Sequence, residues 1–131
     1  MRKILSLFLS IAIILTTGIN AKIDAASNGV QAAWLTTAWS LDWPKTKNNS
    51  TAQKKELIEI LDTLKDTGIN TVMFQVRPYG DAMYKSSINP WSKELTGTQG
   101  KEPGYDPLAF IIQEAHTRGM KVHAWLNPYR V

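Results

Sequence analysis

The sequence predicts an α/β domain in which parallel strands, each followed by a helix, belong to a closed barrel. Strand-like and helix-like segments alternate in the order strand, helix, strand, long loop, helix, strand. Each strand has one apolar face and one face with polar or aromatic side chains, whereas strands covered by helices on both sides are apolar throughout. No glycine-rich phosphate loop follows the first strand, which argues against nucleotide binding.

The first 26 residues are typical of a secretory signal peptide. Arg2 and Lys3 precede an apolar run from Ile4 to Ile19, and small residues follow. A run of about 16 apolar residues is marginal for a membrane span, which needs roughly 20. We therefore expect a signal peptide at 1–26, a domain at 27–131, and a secreted or cell-envelope location. Cleavage would leave no stable membrane anchor, and an uncleaved anchor is the weaker alternative.

Composition excludes several classes of function. The net charge is +4 in 131 residues, but only +2 remains after residue 26, which is too little for a nucleic-acid-binding face. The chain has no cysteine, so disulfides, thiol nucleophiles and cysteine-based zinc sites are excluded. Five tryptophans are more than the one or two of an average composition. Tryptophans on loops offer flat apolar surfaces on which a ligand can stack.

The first predicted strand, Ala32–Ala38, leads into a loop rich in aromatic side chains. Pro44 and the polar residues after it end any continuation of the strand. Core packing and ligand contact are equally good interpretations of Trp34, which lies within the strand. The loop beyond the carboxyl end of the strand carries Trp39, Asp42 and Trp43. Asp42 and Trp43 are candidate ligand contacts, and packing of the loop against the barrel rim is the alternative for Trp39 and Trp43.

The first predicted helix begins at Ser50, which we interpret as a capping box with Gln53, and it ends at Gly68. Its apolar face consists of Leu57, Ile60, Leu61 and Leu64. The second strand follows at 70–77. Gln75 and Arg77 lie on its polar face near the carboxyl end. Burying these polar side chains without hydrogen-bond partners would cost free energy of folding, so we expect them to meet a ligand or each other's hydrogen-bond network.

A loop from Tyr79 to Tyr105 is much longer than the two to six residues usual between a strand and a helix. Ordered loops of this length are commonly functional, and Asp81 is its candidate acid. Asp106 and Pro107 predict the start of the next helix, as N-cap and first helical residue.

The last predicted strand begins after Gly119 and repeats the pattern of the second. Both strands run into an X-Pro-Tyr sequence, Arg77-Pro78-Tyr79 in one and Asn127-Pro128-Tyr129 in the other. The carboxyl ends of parallel strands are where α/β proteins build their sites. The candidate ligand contacts at this end are Trp125, Asn127, Tyr129 and Arg130.

Four segments resemble bacterial glycosyl hydrolase-like family 10 domains: WLTTAWSLDWP, VMFQVRPYGDAMY, PWSKELTGTQGKEPGYDPL and VHAWLNPYR. The resemblance extends from Gln31 to Arg130. It implies the first third of a (β/α)8 TIM barrel, since a complete barrel takes roughly 250 residues. It also implies a secreted glycoside hydrolase that acts on cell-envelope polysaccharide, with peptidoglycan glycan strands as a candidate substrate.

Sugar recognition uses aromatic platforms with amide and guanidinium donors, and hydrolysis adds two carboxylates. The residues that match the family's motifs and are expected at the ligand-facing rim are Asp42, Gln75, Arg77, Asp81, Trp125, Asn127, Tyr129 and Arg130. The catalytic residues stay unassigned, with Asp81 the acid to test first, because the resemblance places them on later strands. We expect this portion to be inactive alone and expect neither cofactor nor metal. The alternative is a non-catalytic carbohydrate-binding envelope protein.

Overall fold

The computed structural model describes residues 29–130, which form a three-stranded sheet covered by helices. The strands are β1 (Ala32–Leu35), β2 (Thr71–Arg77) and β3 (Lys121–Leu126); the helices are α1 (Ser50–Asp66), α2 (Lys93–Thr96) and α3 (Pro107–Thr117). The predicted signal peptide lies outside the described residues. Within residues 29–130, no helix is both long and apolar enough to cross a membrane.

The sheet is parallel, in the order β1-β2-β3, as the sequence predicts. Ala32 pairs with Thr71, which pairs in turn with Lys121, so all three carboxyl ends lie at one edge. The register shifts between Gln75 and Arg77, where β2 meets the end of β3. This arrangement is consistent with part of a TIM barrel.

The core lies between the apolar face of the sheet and the helices. Val72, Phe74 and Val76 of β2 are all buried, and they belong to one cluster with Leu61 of α1 and Ile111 of α3. These positions are apolar at period two on the strand and at helical spacing on the helices. The hydrophobic pattern therefore correctly predicts the buried face of β2, α1 and α3. It fails for β3, where Ala124 and Leu126 of the apolar face are exposed.

The first helix ends as predicted but begins differently. Gly68 has φ of +86°, and Ile69 N–H donates to Leu64 O at 3.0 Å, which is a Schellman ending. The predicted capping box is wrong. Asn49 is the N-cap and accepts from Ala52 N–H at 3.0 Å, whereas Gln53 is buried and donates to Leu95 O at 2.7 Å. The Gln53 side chain therefore bonds to a distant segment and is not available for a capping box.

Strand β1 is shorter than predicted because side chains, not a neighbouring strand, accept the hydrogen bonds of the backbone N–H groups at its predicted end. Gln75 Oε1 accepts from both Thr37 N–H and Ala38 N–H at 2.9 Å, and Asp42 Oδ2 accepts from Thr36 N–H at 2.7 Å. With these donors satisfied, the backbone leaves the sheet at Leu35 and forms a 3-10 turn at Ala38–Ser40. The residues after the turn therefore lie beyond the carboxyl end of β1, outside the sheet.

The long loop is folded and packed. Ala82 N–H donates to Pro90 O and Ser92 N–H donates to Ala82 O, each at 2.9 Å, so the loop doubles back on itself before α2. Met83 and Leu95 are fully buried. At the loop's end Asp106 caps α3, accepting from Ala109 N–H at 2.9 Å, as predicted. The loop is therefore a fixed part of the edge where the strands end.

Candidate functional site

A cleft of about 280 Å³ opens at the edge of the sheet where the strands end. Two loops form it: the segment that follows β1 and the long loop that follows β2. The residues that line the cleft are Trp39, Tyr79, Asp81, Lys93 and Gln99. An apolar surface with a few convergent polar groups, at the carboxyl edge of a parallel sheet, is a typical small-ligand site.

Trp39 is the main aromatic surface of the cleft. Its side chain is 58% exposed, and its ring meets that of Tyr79 edge-on with 6.1 Å between centroids. The Arg130 guanidinium carbon lies 4.3 Å from the Trp39 ring centroid and 5.5 Å from that of Tyr79. Two aromatic rings therefore line one side of the cleft, and the Arg130 guanidinium packs against them from outside its lining.

The backbone that carries Trp39 is in the left-handed region. Trp39 has φ of +54° and Ser40 has φ of +55°, and neither is a glycine. This conformation costs about 1–2 kcal/mol per residue. Such strain persists only where the surroundings hold it, and it is concentrated at functional sites.

Two buried carboxylates lie in this region. Asp81 lines the cleft, and its Oδ1 accepts from Tyr79 N–H at 3.3 Å. Glu94 Oε2 accepts from Lys47 Nζ at 2.8 Å and from Ser40 Oγ at 2.9 Å. Burial, and after it the negative charge of Glu94, raises the pKa of Tyr79. A tyrosine hydroxyl is protonated at neutral pH without any shift, so the hydroxyl of Tyr79 can act as a donor.

The ion pair of Glu94 predicts a pH dependence of stability. Burial by itself raises the pKa of Glu94, but the hydrogen bonds from Lys47 and Ser40 outweigh it and hold the pKa below its ordinary value. The stabilisation is therefore present above the unfolded-state pKa of about 4.3 and is lost as pH falls through the folded-state value. We expect the melting temperature of Glu94→Gln to fall less between about pH 5 and pH 3 than that of the wild type. Coinciding acid profiles would contradict this.

Of the ten predicted ligand contacts, Asp81 lines the cleft and Arg130 packs on its aromatic side. Another group meets on the polar face of the sheet. Trp34 and Trp125 make an edge-on contact with 4.9 Å between ring centroids, and Trp125 Nε1 donates to Asn127 Oδ1 at 3.0 Å. Tyr129 is 97% exposed.

Arg77 is half-buried at the end of β2. Its Nη2 donates to Asn89 Oδ1 at 3.1 Å, and its Nε is buried without a hydrogen-bond partner. Its guanidinium has no carboxylate within ion-pair distance among the described residues. Contact between Arg77 and a ligand stays a prediction.

Three of the predicted contacts have structural roles instead. Trp43 is fully buried against Phe74, and its Nε1 donates to Gln53 O at 3.0 Å, so it has no surface for a ligand. Gln75 is buried, with its side-chain oxygen accepting from the turn after β1. Asp42 is exposed, but it ends β1 and lines a different cavity, beside α1. Each satisfies a backbone or core requirement that sequence spacing does not reveal.

The residues that sequence reasoning left out of its candidates are Trp39, Tyr79, Lys93 and Gln99. Two signals were available for the aromatic pair. Trp39 follows the first strand on a polar loop, and Tyr79 occupies the repeated X-Pro-Tyr position. Lys93 and Gln99 carry no local signal, because the folding of the long loop places them at the cleft.

A larger cavity of about 380 Å³ lies beside α1, lined by Ile60 and Leu64 together with Asp42 and Lys45. Glu56, Glu59 and Thr63 complete its lining, and none of its lining residues is aromatic, so the smaller cleft with its two aromatic rings is the better candidate site. Across residues 29–130 no three histidine or acidic side chains come together in a way that could hold a metal ion.

Comparison with known proteins identifies close relatives. The family model described as glycosyl hydrolase-like 10 matches residues 29–131. The chain is 48% identical over 103 residues to the glycosyl hydrolase YngK of Bacillus subtilis (strain 168), covering 78% of this chain and 20% of YngK. It is 49% identical over 119 residues to the glycosyl hydrolase DigH of Escherichia coli (strain K12), covering 85% of this chain and 27% of DigH. The chain thus spans about a fifth to a quarter of the length of these relatives.

Proposed function

The chain belongs to the glycosyl hydrolase-like 10 family, and from this premise we propose that its cleft binds a glycan of the cell envelope. The whole protein would be a secreted glycoside hydrolase, with peptidoglycan glycan strands as the candidate substrate. Secretion is supported by the signal-peptide pattern of residues 1–26. The substrate class is supported by the kind of surface that the cleft offers.

The observation that carries the proposal is the exposed Trp39 ring at the cleft. A pyranose presents a weakly apolar ring face and a rim of hydroxyls. Trp39 offers a flat surface for the ring face, and the exposed Lys93 and Gln99 offer a cation and an amide for the hydroxyls. The strain stored at Trp39 further supports a functional surface.

Glycoside hydrolysis requires two carboxylates that flank the scissile bond. Asp81 is the carboxylate that lines the cleft here, but it is 1% exposed and accepts from Tyr79 N–H at 3.3 Å, so we assign it the positioning of Tyr79. The acids that break the bond are expected on other strands of the complete barrel. Within residues 29–130, β1 and β3 each pair with a neighbour on one side alone, which supports closure of the barrel by further strand-helix units.

Glycan strands freed of their peptides provide the test. The purified chain is titrated with these strands while tryptophan fluorescence is followed, and dextran serves as the control polysaccharide. We expect saturable binding to the glycan strands and none to dextran. Absence of binding to the glycan strands would contradict the proposal.

The non-catalytic alternative shares the same cleft, so binding alone does not distinguish it. Release of new reducing ends from the glycan strands is measured with the whole protein that contains all strand-helix units. Hydrolysis supports the enzyme, and binding without turnover supports a carbohydrate-binding protein.

A further inference from the structure

The left-handed conformation of Trp39 and Ser40 must be stabilised by contacts from outside the turn. Ser40 N–H donates to Thr37 O at 3.1 Å, which closes the turn. This hydrogen bond does not by itself fix the side-chain conformations of Trp39 and Ser40. Both residues have a Cβ, so the right-handed conformation is intrinsically preferred. Something outside the turn must therefore favour the conformation that directs the Trp39 ring toward the cleft.

Two side chains outside the turn contact it. Lys45 Nζ donates to the backbone carbonyls of Ser40, at 3.2 Å, and of Leu41. Glu94 is the one that bonds to a side chain of the turn and comes from a distant segment. Ser40 Oγ donates to Glu94 Oε2 at 2.9 Å across 54 positions of sequence, and Lys47 Nζ donates to the same oxygen at 2.8 Å. The side chain of Glu94 is 4% exposed, and Glu94 does not line the cleft. It therefore reaches the turn without reaching the ligand surface.

The element that carries Glu94 is itself fixed. Leu95 is fully buried, and its carbonyl accepts from Asn48 N–H at 2.8 Å and from Gln53 Nε2 at 2.7 Å. Ser92 caps α2 by accepting from Glu94 N–H at 3.3 Å. These contacts join α2 to the loop before α1 and to α1 itself, so Glu94 acts from a rigid support.

We propose that Glu94 is a positioning residue for Trp39. By accepting a hydrogen bond from the Ser40 hydroxyl, Glu94 stabilises the strained turn. The stabilised turn keeps the indole beside Tyr79, in the orientation in which a sugar can stack on it. The inference rests on the proposed function of the cleft. Removal of the acceptor lets the turn relax toward the right-handed region and moves the ring from its place. A glutamine retains the effect, because its amide oxygen can accept from both Ser40 and Lys47.

The test compares four variants of the full chain: Glu94→Ala, Glu94→Gln, Ser40→Ala and Lys47→Ala. The tryptophans are labelled with fluorine, and the Trp39 resonance is assigned by its absence in Trp39→Phe. We expect Glu94→Ala and Ser40→Ala to shift and broaden this resonance and to weaken glycan-strand binding about tenfold. Glu94→Gln and Lys47→Ala are expected to keep the wild-type resonance and to bind within about twofold of the wild type.

Lys47→Ala is the matched structural control, since it removes the ion pair of Glu94 but leaves the Ser40 hydrogen bond. A purely structural role of Glu94 predicts that affinity follows the melting temperature in all four variants, and that result overturns the proposal. An unchanged Trp39 resonance in Ser40→Ala overturns it as well, even if Glu94→Ala fails to fold. If the wild type binds no glycan, the proposed function fails, while the fluorine spectra still decide whether Glu94 positions Trp39.

Discussion

Replacing Trp39 by alanine is expected to weaken the binding of glycan strands at least about tenfold, equivalent to about 1.4 kcal/mol. The ring is the largest exposed surface of the cleft, and a few aromatic anchors commonly carry most of the energy of a binding site. Because 58% of the side chain is exposed, the free energy of unfolding should change by less than about 1 kcal/mol. Fluorescence titration and thermal melting measure the two effects.

Tyr129→Ala is the comparison for this prediction, because the sequence assigns Tyr129 to the ligand-facing rim whereas the structure leaves it outside the cleft. Tyr129 is also an aromatic residue near the strand ends, but it is 97% exposed and does not line the cleft. Its removal should change affinity by less than about twofold. Equal losses in the two variants would mean that the binding surface lies elsewhere on this edge, and no loss in Trp39→Ala would refute the role of the cleft.

Replacing Trp43 by alanine is expected to lower the free energy of unfolding by about 3–5 kcal/mol. The side chain is fully buried, packs against Phe74 with 5.8 Å between ring centroids, and donates a hydrogen bond to Gln53 O at 3.0 Å. Its loss leaves a cavity between the sheet and α1 and removes the hydrogen bond to Gln53 O. Domains are commonly stable by only about 5–15 kcal/mol, so much of the folded population would be lost. Urea denaturation measures the change.

Trp34→Ala is the control, because Trp34 is also a tryptophan of the first strand region but is 62% exposed. We expect it to cost about 1 kcal/mol or less, mainly through its edge-on contact with Trp125. If Trp43→Ala melted like the wild type but failed to bind glycan, the original assignment of Trp43 to the ligand would be right and its placement in the core wrong.

The fold follows from the sequence to the extent that local forces decide it. The Schellman ending at Gly68 and the Asp106 cap of α3 involve atoms a few residues apart, so short-range spacing predicts both correctly. The apolar faces of β2 and the helices follow from periodicity alone. The capping box at Ser50 fails because Gln53 has a stronger use across the fold, at Leu95 O.

The candidate site was less predictable, because its members are held by contacts between distant segments. Of the residues that sequence position indicates at this edge, Asp81 lines the cleft and Arg130 packs on Trp39, and their contact with a ligand stays a prediction. Gln75 was assigned to a ligand on the argument that a buried polar side chain needs a partner. The argument was correct, and the partner is the backbone of Thr37 and Ala38.

Trp39 and Trp43 illustrate what the sequence determines and what only the tertiary structure determines. The sequence by itself determined that both follow the first strand on one short loop, and that the chain is an α/β protein of the glycosyl hydrolase-like 10 family. Only the tertiary structure decided that Trp43 enters the core while Trp39 faces the cleft. The physical reason is that their environments come from residues far along the chain: Trp43 packs against Phe74, and the Trp39 ring meets that of Tyr79.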